Sequence, residues 1–154
     1  MQDYEEMVHE CYDPLIKQYK YQFAKYDDDE FFLIGDGFAL YLFVDRRDRR
    51  ADVRYVLLGS SGSIKTYTLM YIQKQRYRQE DFALYGAPQD IDGRIKSDMT
   101  VASAGLQNHC QDILSGDNNW LVNYPDSGTF SRHIARFLAP YFRRQGYYVK
   151  PVEE

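Results

Sequence analysis

The sequence predicts an α+β fold, with an N-terminal helix, an antiparallel sheet of about four strands and a helical C-terminal half. Three observations carry this reading. Apolar residues near the N-terminus recur at three- and four-residue steps. The period drops to two through the middle of the chain. Helical spacing returns only after a stretch punctuated by Gly86, Pro88 and Gly93. Strands in succession, followed by helices in succession, point to an antiparallel sheet with its helices set apart from it.

The first helix is amphipathic, with Tyr4, Met7, Val8, Cys11, Leu15 and Tyr19 on one stripe. Pro14 falls off that stripe and is expected to kink the helix or restart it after Asp13. Alternation from Tyr19 to about Tyr26 predicts a strand, and Phe31 to Ile34 another. Between them Asp27-Asp28-Asp29-Glu30 is a turn of four like charges. Gly35-Asp36-Gly37 supplies a tight turn. In Phe38 to Val44 both parities are apolar, so this strand is covered on both faces. The segment 45–51 is too charged to bury and links it to a partner strand, Asp52 to Leu58. Gly59 to Ser63 has the composition of a hairpin loop. Ile64 to Met70 is compatible with a further strand, whereas Met70 to Gln79 is open between strand and helix.

Tyr85 to Arg94 is expected to be a loop. Ser97 or Asp98 is placed to cap a helix running to about Leu114. Its inner residues are Val101, Ala104, Gly105, Cys110, Ile113 and Leu114, and Gly116 is its stop. A last helix starts near Ser127 or Ser131. Its stripe is Phe130, Ile134, Phe137, Leu138 and Tyr141, with a bend at Pro140 and an end at Gly146. Tyr147-Tyr148-Val149 suits a short terminal strand. With 154 residues and no linker or repeat, the chain is a single domain, 1–154.

Composition narrows the function classes. No apolar run reaches transmembrane length, and the acidic N-terminus lacks a signal-peptide pattern, so a cytoplasmic location is expected. Cys11 and Cys110 sit in helical patterns and are read as reduced residues. The net charge of −4 weighs against general nucleic-acid binding. The 15 tyrosines suit cores with a wet edge and protein interfaces.

No constellation names a reaction. His9, His109 and His133 lack metal-ligand spacing, and no CxxC is present. His109 and Cys110 are adjacent, so on a helix they point about 100° apart and do not share a metal. Cys110, His133 and Asp126 form a nucleophile, base and orienter on paper, but Cys110 lies in an apolar pattern that favours core packing. Asp45, Asp48 and Asp52 resemble a metal-dependent nuclease cluster only until Arg46, Arg47, Arg49 and Arg50 are counted. The mixture is then a self-neutralised solvated loop. No cofactor or metal is called for.

The features left are surface features. Asp27, Asp28, Asp29 and Glu30, flanked by Tyr26 and Phe31, make an acidic hairpin tip beside aromatics. This is a candidate docking surface for a basic protein partner, with Tyr26 to Glu30 as its contact residues. Trp120, among Asp117, Asn118 and Asn119, is a second candidate anchor, although a partly buried core position fits it better. The rival reading is a phosphate-binding patch built from Arg46, Arg47, Arg49 and Arg50 with Arg132, Arg136, Arg143 and Arg144.

The runs Asp36-Gly37-Phe38-Ala39-Leu40-Tyr41-Leu42-Phe43-Val44-Asp45-Arg46-Arg47 and Asn108-His109-Cys110-Gln111-Asp112-Ile113-Leu114-Ser115-Gly116-Asp117 sit in a compact, acidic, tyrosine-rich chain without catalytic equipment. In this the chain resembles the small cytoplasmic immunity proteins encoded beside bacterial polymorphic toxins, including those of contact-dependent growth inhibition systems. The resemblance is one of architecture across most of the chain. It implies a non-enzymatic protein that binds one toxin domain, such as a nuclease, and occludes its active site or substrate surface. It transfers no individual residue.

Overall fold

In a computed structural model, which describes residues 3–87 and 90–152, a five-stranded antiparallel meander separates two helical layers. The strands are β1 (Gln22–Lys25), β2 (Glu30–Ile34), β3 (Phe38–Asp45), β4 (Arg50–Leu58) and β5 (Ile64–Thr68), and they pair in sequence order. The expected α+β class holds, with one strand more than anticipated. The period-two register explains the layering. Phe31, Leu33, Leu40, Leu42, Val53 and Tyr55 point to one face, and Phe32, Ile34, Ala39, Tyr41 and Val56 to the other. β3 is apolar on both parities because both its faces are covered. Full burial of each large side chain, such as Phe31 and Phe32, contributes about 2 kcal/mol of transfer free energy.

The first face carries α1 (Glu5–Tyr19), α4 (Ile91–His109) and the short α5 (Gln111–Leu114). α1 runs unbroken through the exposed Pro14 and ends at Lys20, whose φ of 57° is a left-handed cap. The second face carries α6 (Arg132–Arg144), which buries Ile134, Ala135, Leu138, Ala139 and Phe142. Phe130 is excluded from that stripe and is 58% exposed, because it precedes the helix.

Several boundaries differ from those expected. The undecided stretch after β5 is helical: α2 spans Met70–Arg76, and α3 (Gln79–Phe82) follows. The predicted 85–94 loop is shorter, because α4 starts at Ile91. Its cap is Asp90, whose carboxylate accepts the Gly93 amide at 2.7 Å. Asp98 is therefore mid-helix and buried rather than a cap, and Ser97 is likewise internal. Tyr147 to Val149 forms no strand; the segment is tied down instead by the Lys150 amide donating to Gly62 O at 2.9 Å.

The outer edge of β5 is closed by the loop before α6. Thr66 and Thr129 exchange backbone bonds of 2.8 and 2.9 Å, and the Thr68 amide donates to Asp126 at 2.7 Å. Edge groups satisfied in this way are withdrawn from unwanted strand pairing.

Candidate protein-binding surface

The β1–β2 turn, residues 26–29, stands at one end of the sheet, and tertiary structure enlarges its acidic character. The start of α1 comes alongside it: the Tyr4 amide donates to Asp28 O at 3.3 Å, and Lys25 pairs with Asp3 and lies 3.7 Å from Glu5 and 3.5 Å from Asp28. Asp3 and Glu5 thus join the four acids of the turn. They lie more than twenty residues away in sequence, so local reading could not place them there.

The five predicted contact residues have unequal freedom. Asp27 and Tyr26 are exposed. Asp27 braces the turn by accepting the Asp29 amide at 2.9 Å. Among the described residues, the Asp28 side chain is engaged only with Lys25, through the weak 3.5 Å contact. Asp29 is committed to Arg46 of the β3–β4 hairpin, and Glu30 to Tyr41 and His133. Tyr26 is 41% exposed, and its ring is held edge-on to Phe137 at 5.3 Å and tilted against His133 at 5.4 Å. The turn therefore presents an ordered aromatic ring next to two carboxylates with acceptor capacity to spare.

The arginine patch is divided. Arg46 is bound to Asp29, and Arg50 makes a bidentate pair with Asp98 at 2.6 and 2.8 Å. Arg47 and Arg49 are exposed at the hairpin tip. Arg143 donates to Val149 O at 3.2 Å, and Arg144 lies over the Tyr141 ring. Those two belong to the far end of α6, where Gln145 binds Gly35 O and the Gly37 amide across the β2–β3 turn. Arg143 and Arg144 consequently lie at the opposite end of the sheet from Arg46 to Arg50, whereas Arg132 and Arg136 are exposed on the first two turns of α6.

The candidate nucleophilic set is likewise separated. Cys110 is fully buried on the first face, where burial pushes its thiol up to about 11, while His133 belongs to α6 on the second. Asp126 accepts from Thr68 and Gly128. His109 pairs with buried Asp81 at 2.8 Å. Asp45 and Asp52 turn back on their own hairpin, accepting the Asp48 and Val53 amides. Among the described residues, no group of three His, Cys, Asp or Glu side chains is arranged to hold a metal ion.

One arrangement has no signal in the sequence. Ser131 Oγ lies 3.1 Å from His133 Nδ1, and His133 Nε2 lies 2.9 Å from Glu30 Oε1. This hydroxyl–imidazole–carboxylate chain pins the start of α6 to β2, and Glu30 is shared with Tyr41. With Tyr26 tilted against His133, these contacts make a clamp beneath the Tyr26 ring. Trp120 is half-buried, edge-on to Tyr55 and Tyr124 at 5.0 Å each, which makes it a packing residue rather than an anchor.

Two larger hollows lie elsewhere. One, of about 580 Å³, opens between β4, α2 and α4 beside the Arg50–Asp98 pair. The other, of about 570 Å³, lies beside the start of α6. No described helix is long and apolar enough to cross a membrane. Comparison of the chain with protein-family models, curated proteins and solved structures finds no match.

Proposed function

We propose that the chain is a non-enzymatic binding protein, an immunity protein that acts in the cytoplasm and neutralises a cognate bacterial toxin domain by covering its active site or substrate surface. The observation that carries this reading is the pre-ordered Tyr26 ring beside Asp27 and Asp28. An aromatic already held in place loses little side-chain entropy on docking, and adjacent carboxylates steer a basic partner towards it. Asp29 and Glu30 complete the contact set Tyr26 to Glu30 chiefly by holding its shape. The nucleic-acid alternative is weaker, because Arg46 and Arg50 already carry carboxylates and Arg143 and Arg144 stand at the other end of the sheet.

A pull-down from the native host at moderate salt, read by mass spectrometry, tests the proposal. The expected result is one stoichiometric basic protein that is lost with the variant Tyr26→Ala/Asp27→Lys/Asp28→Lys. This variant leaves Arg46 and His133 paired, and Asp27→Asn/Asp28→Asn, which keeps the side-chain acceptor that braces the turn, separates loss of charge from loss of turn shape. Capture of nucleic acid instead, or of a partner indifferent to those substitutions, overturns the proposal or its site.

A further inference from the structure

The 570 Å³ groove has a chemistry of its own, independent of the acidic turn. Its floor is apolar, made by Ile64, Ala135 and Val149, which are all buried and belong to the core of the second face. Two aromatic rings flank it and remain largely in solvent: Phe130 is 58% and Tyr148 68% exposed. The placement of Tyr148 depends on Gly62, where φ is +89° and a Cβ would come within 2.7 Å of the Tyr148 ring. The charged side chains lining the groove are Arg132 and Lys150, both exposed, and among the described residues no carboxylate lines it. Neither cation has a hydrogen-bond or ion-pair partner among the described residues. What sets these two cations apart is their place: both line a groove whose floor is apolar.

Ligand sites combine a mostly apolar concavity, on the order of 300–1,000 Å³, with a few polar groups that set orientation. Here the apolar floor and rings match a hydrocarbon or aromatic body, and the two cations match one anionic head. We propose that this groove binds a small amphipathic carboxylate. The body lies between Phe130 and Tyr148, and the carboxylate is held by Arg132 and Lys150.

The test uses the full chain and defined probes: decanoate and indole-3-acetate, with 1-decanol as the uncharged control. Amide chemical shifts and calorimetric affinity are read for the native chain, for Arg132→Glu and for Lys150→Glu. Both positions are exposed, and a glutamate at 132 occupies the first turn of α6, where negative charge is favoured, so these variants fold. The expected result is saturable shifts at Ile64, Ala135 and Val149, and at least a tenfold loss of carboxylate affinity in each variant. The alcohol binds more weakly than decanoate and is insensitive to both substitutions. Absence of saturable shifts, equal binding of decanol and decanoate, or unchanged affinity in both variants overturns the proposal. Shifts confined to the cleft beside Arg50 also overturn it.

Discussion

Arg46 grips Asp29 in a fork: Nε lies 2.7 and 2.9 Å from the two carboxylate oxygens, and Nη2 2.7 Å from Oδ1. The same guanidinium stands 4.9 Å from the centre of the Tyr4 ring. One side chain of the β3–β4 connection thereby ties together the acidic turn and the start of α1. The acidic and basic runs, separate in sequence, are neighbours in space and partly neutralise each other.

Arg46→Ala is expected to cost about 1 kcal/mol, since the pair is bidentate but part-exposed. That corresponds to a fall in Tm of about 3 °C for a chain of this size. Arg47→Ala, on the same hairpin but exposed, should stay within about 0.5 kcal/mol. Thermal melts of the two variants read the difference, and equal shifts would show that the fork contributes nothing.

Asp98 accepts from Arg50 Nε and Nη2 and from the Ala51 amide at 2.9 Å, all while buried in α4. It fastens the long helix to the first residues of β4. Asp98→Ala should destabilise by about 2 kcal/mol, less than the loss of a fully buried pair, because the half-exposed Arg50 can return to water. Urea unfolding with an unchanged m-value is the measurement. A shift below a few tenths of a kcal/mol would remove Asp98 from this role.

Gly105 lies within α4, where alanine would ordinarily add about 1 kcal/mol of helix stability. The structure reverses that sign. A Cβ at 105 would overlap the Tyr77 ring, and that ring is anchored by its hydroxyl donating to Ala102 O at 2.7 Å. Overpacking costs about 1–3 kcal/mol, so Gly105→Ala should be net destabilising. In the double variant with Tyr77→Ala, the substitution at 105 should become stabilising.

Asp81 is buried, which by itself opposes ionisation. The Arg78 amide at 2.8 Å, Asn108 at 3.0 Å and His109 together outweigh burial and hold its carboxyl below the usual range. Asp112 is held low in the same way: its burial is outweighed by the Arg76 guanidinium at 2.6 and 3.0 Å. A depressed folded-state value contributes stability that is present above the unfolded-state value and is lost as pH falls through the folded one. The urea midpoint should therefore be level in this respect above about pH 5 and decline towards pH 3 and below. Asp81→Asn should flatten part of that decline. A midpoint as steep in the variant as in the native chain would exclude Asp81 as its source.

The strands and turns were legible because their signals are local. Alternation in β1 to β4, charge in 45–51 and glycines at 35 and 37 each act over a few residues, and double-sided burial of β3 was written in its two apolar parities. Two stretches, one misplaced and one left open, carry side chains whose partners are distant. Asp98 has the composition of a cap, yet the helix already starts at Ile91 behind Asp90, and what Asp98 binds instead is Arg50, 48 residues away. Met70–Arg76 turned helical where Ile72 meets the core and Arg76 meets Asp112.

Sequence alone determined the α+β class, the antiparallel sheet and the existence of an acidic turn beside Tyr26, since hydrophobic period and turn chemistry operate between near neighbours. Tertiary structure alone decided which charges on that turn are spent and which are available. It paired Asp29 with Arg46 and Glu30 with His133, brought Asp3 and Glu5 to the turn, and set Arg132 and Lys150 together beside an apolar groove. The physical reason is that an ion pair depends on distance through space, and spacing along the chain does not encode that distance until the sheet and its two helical layers have formed.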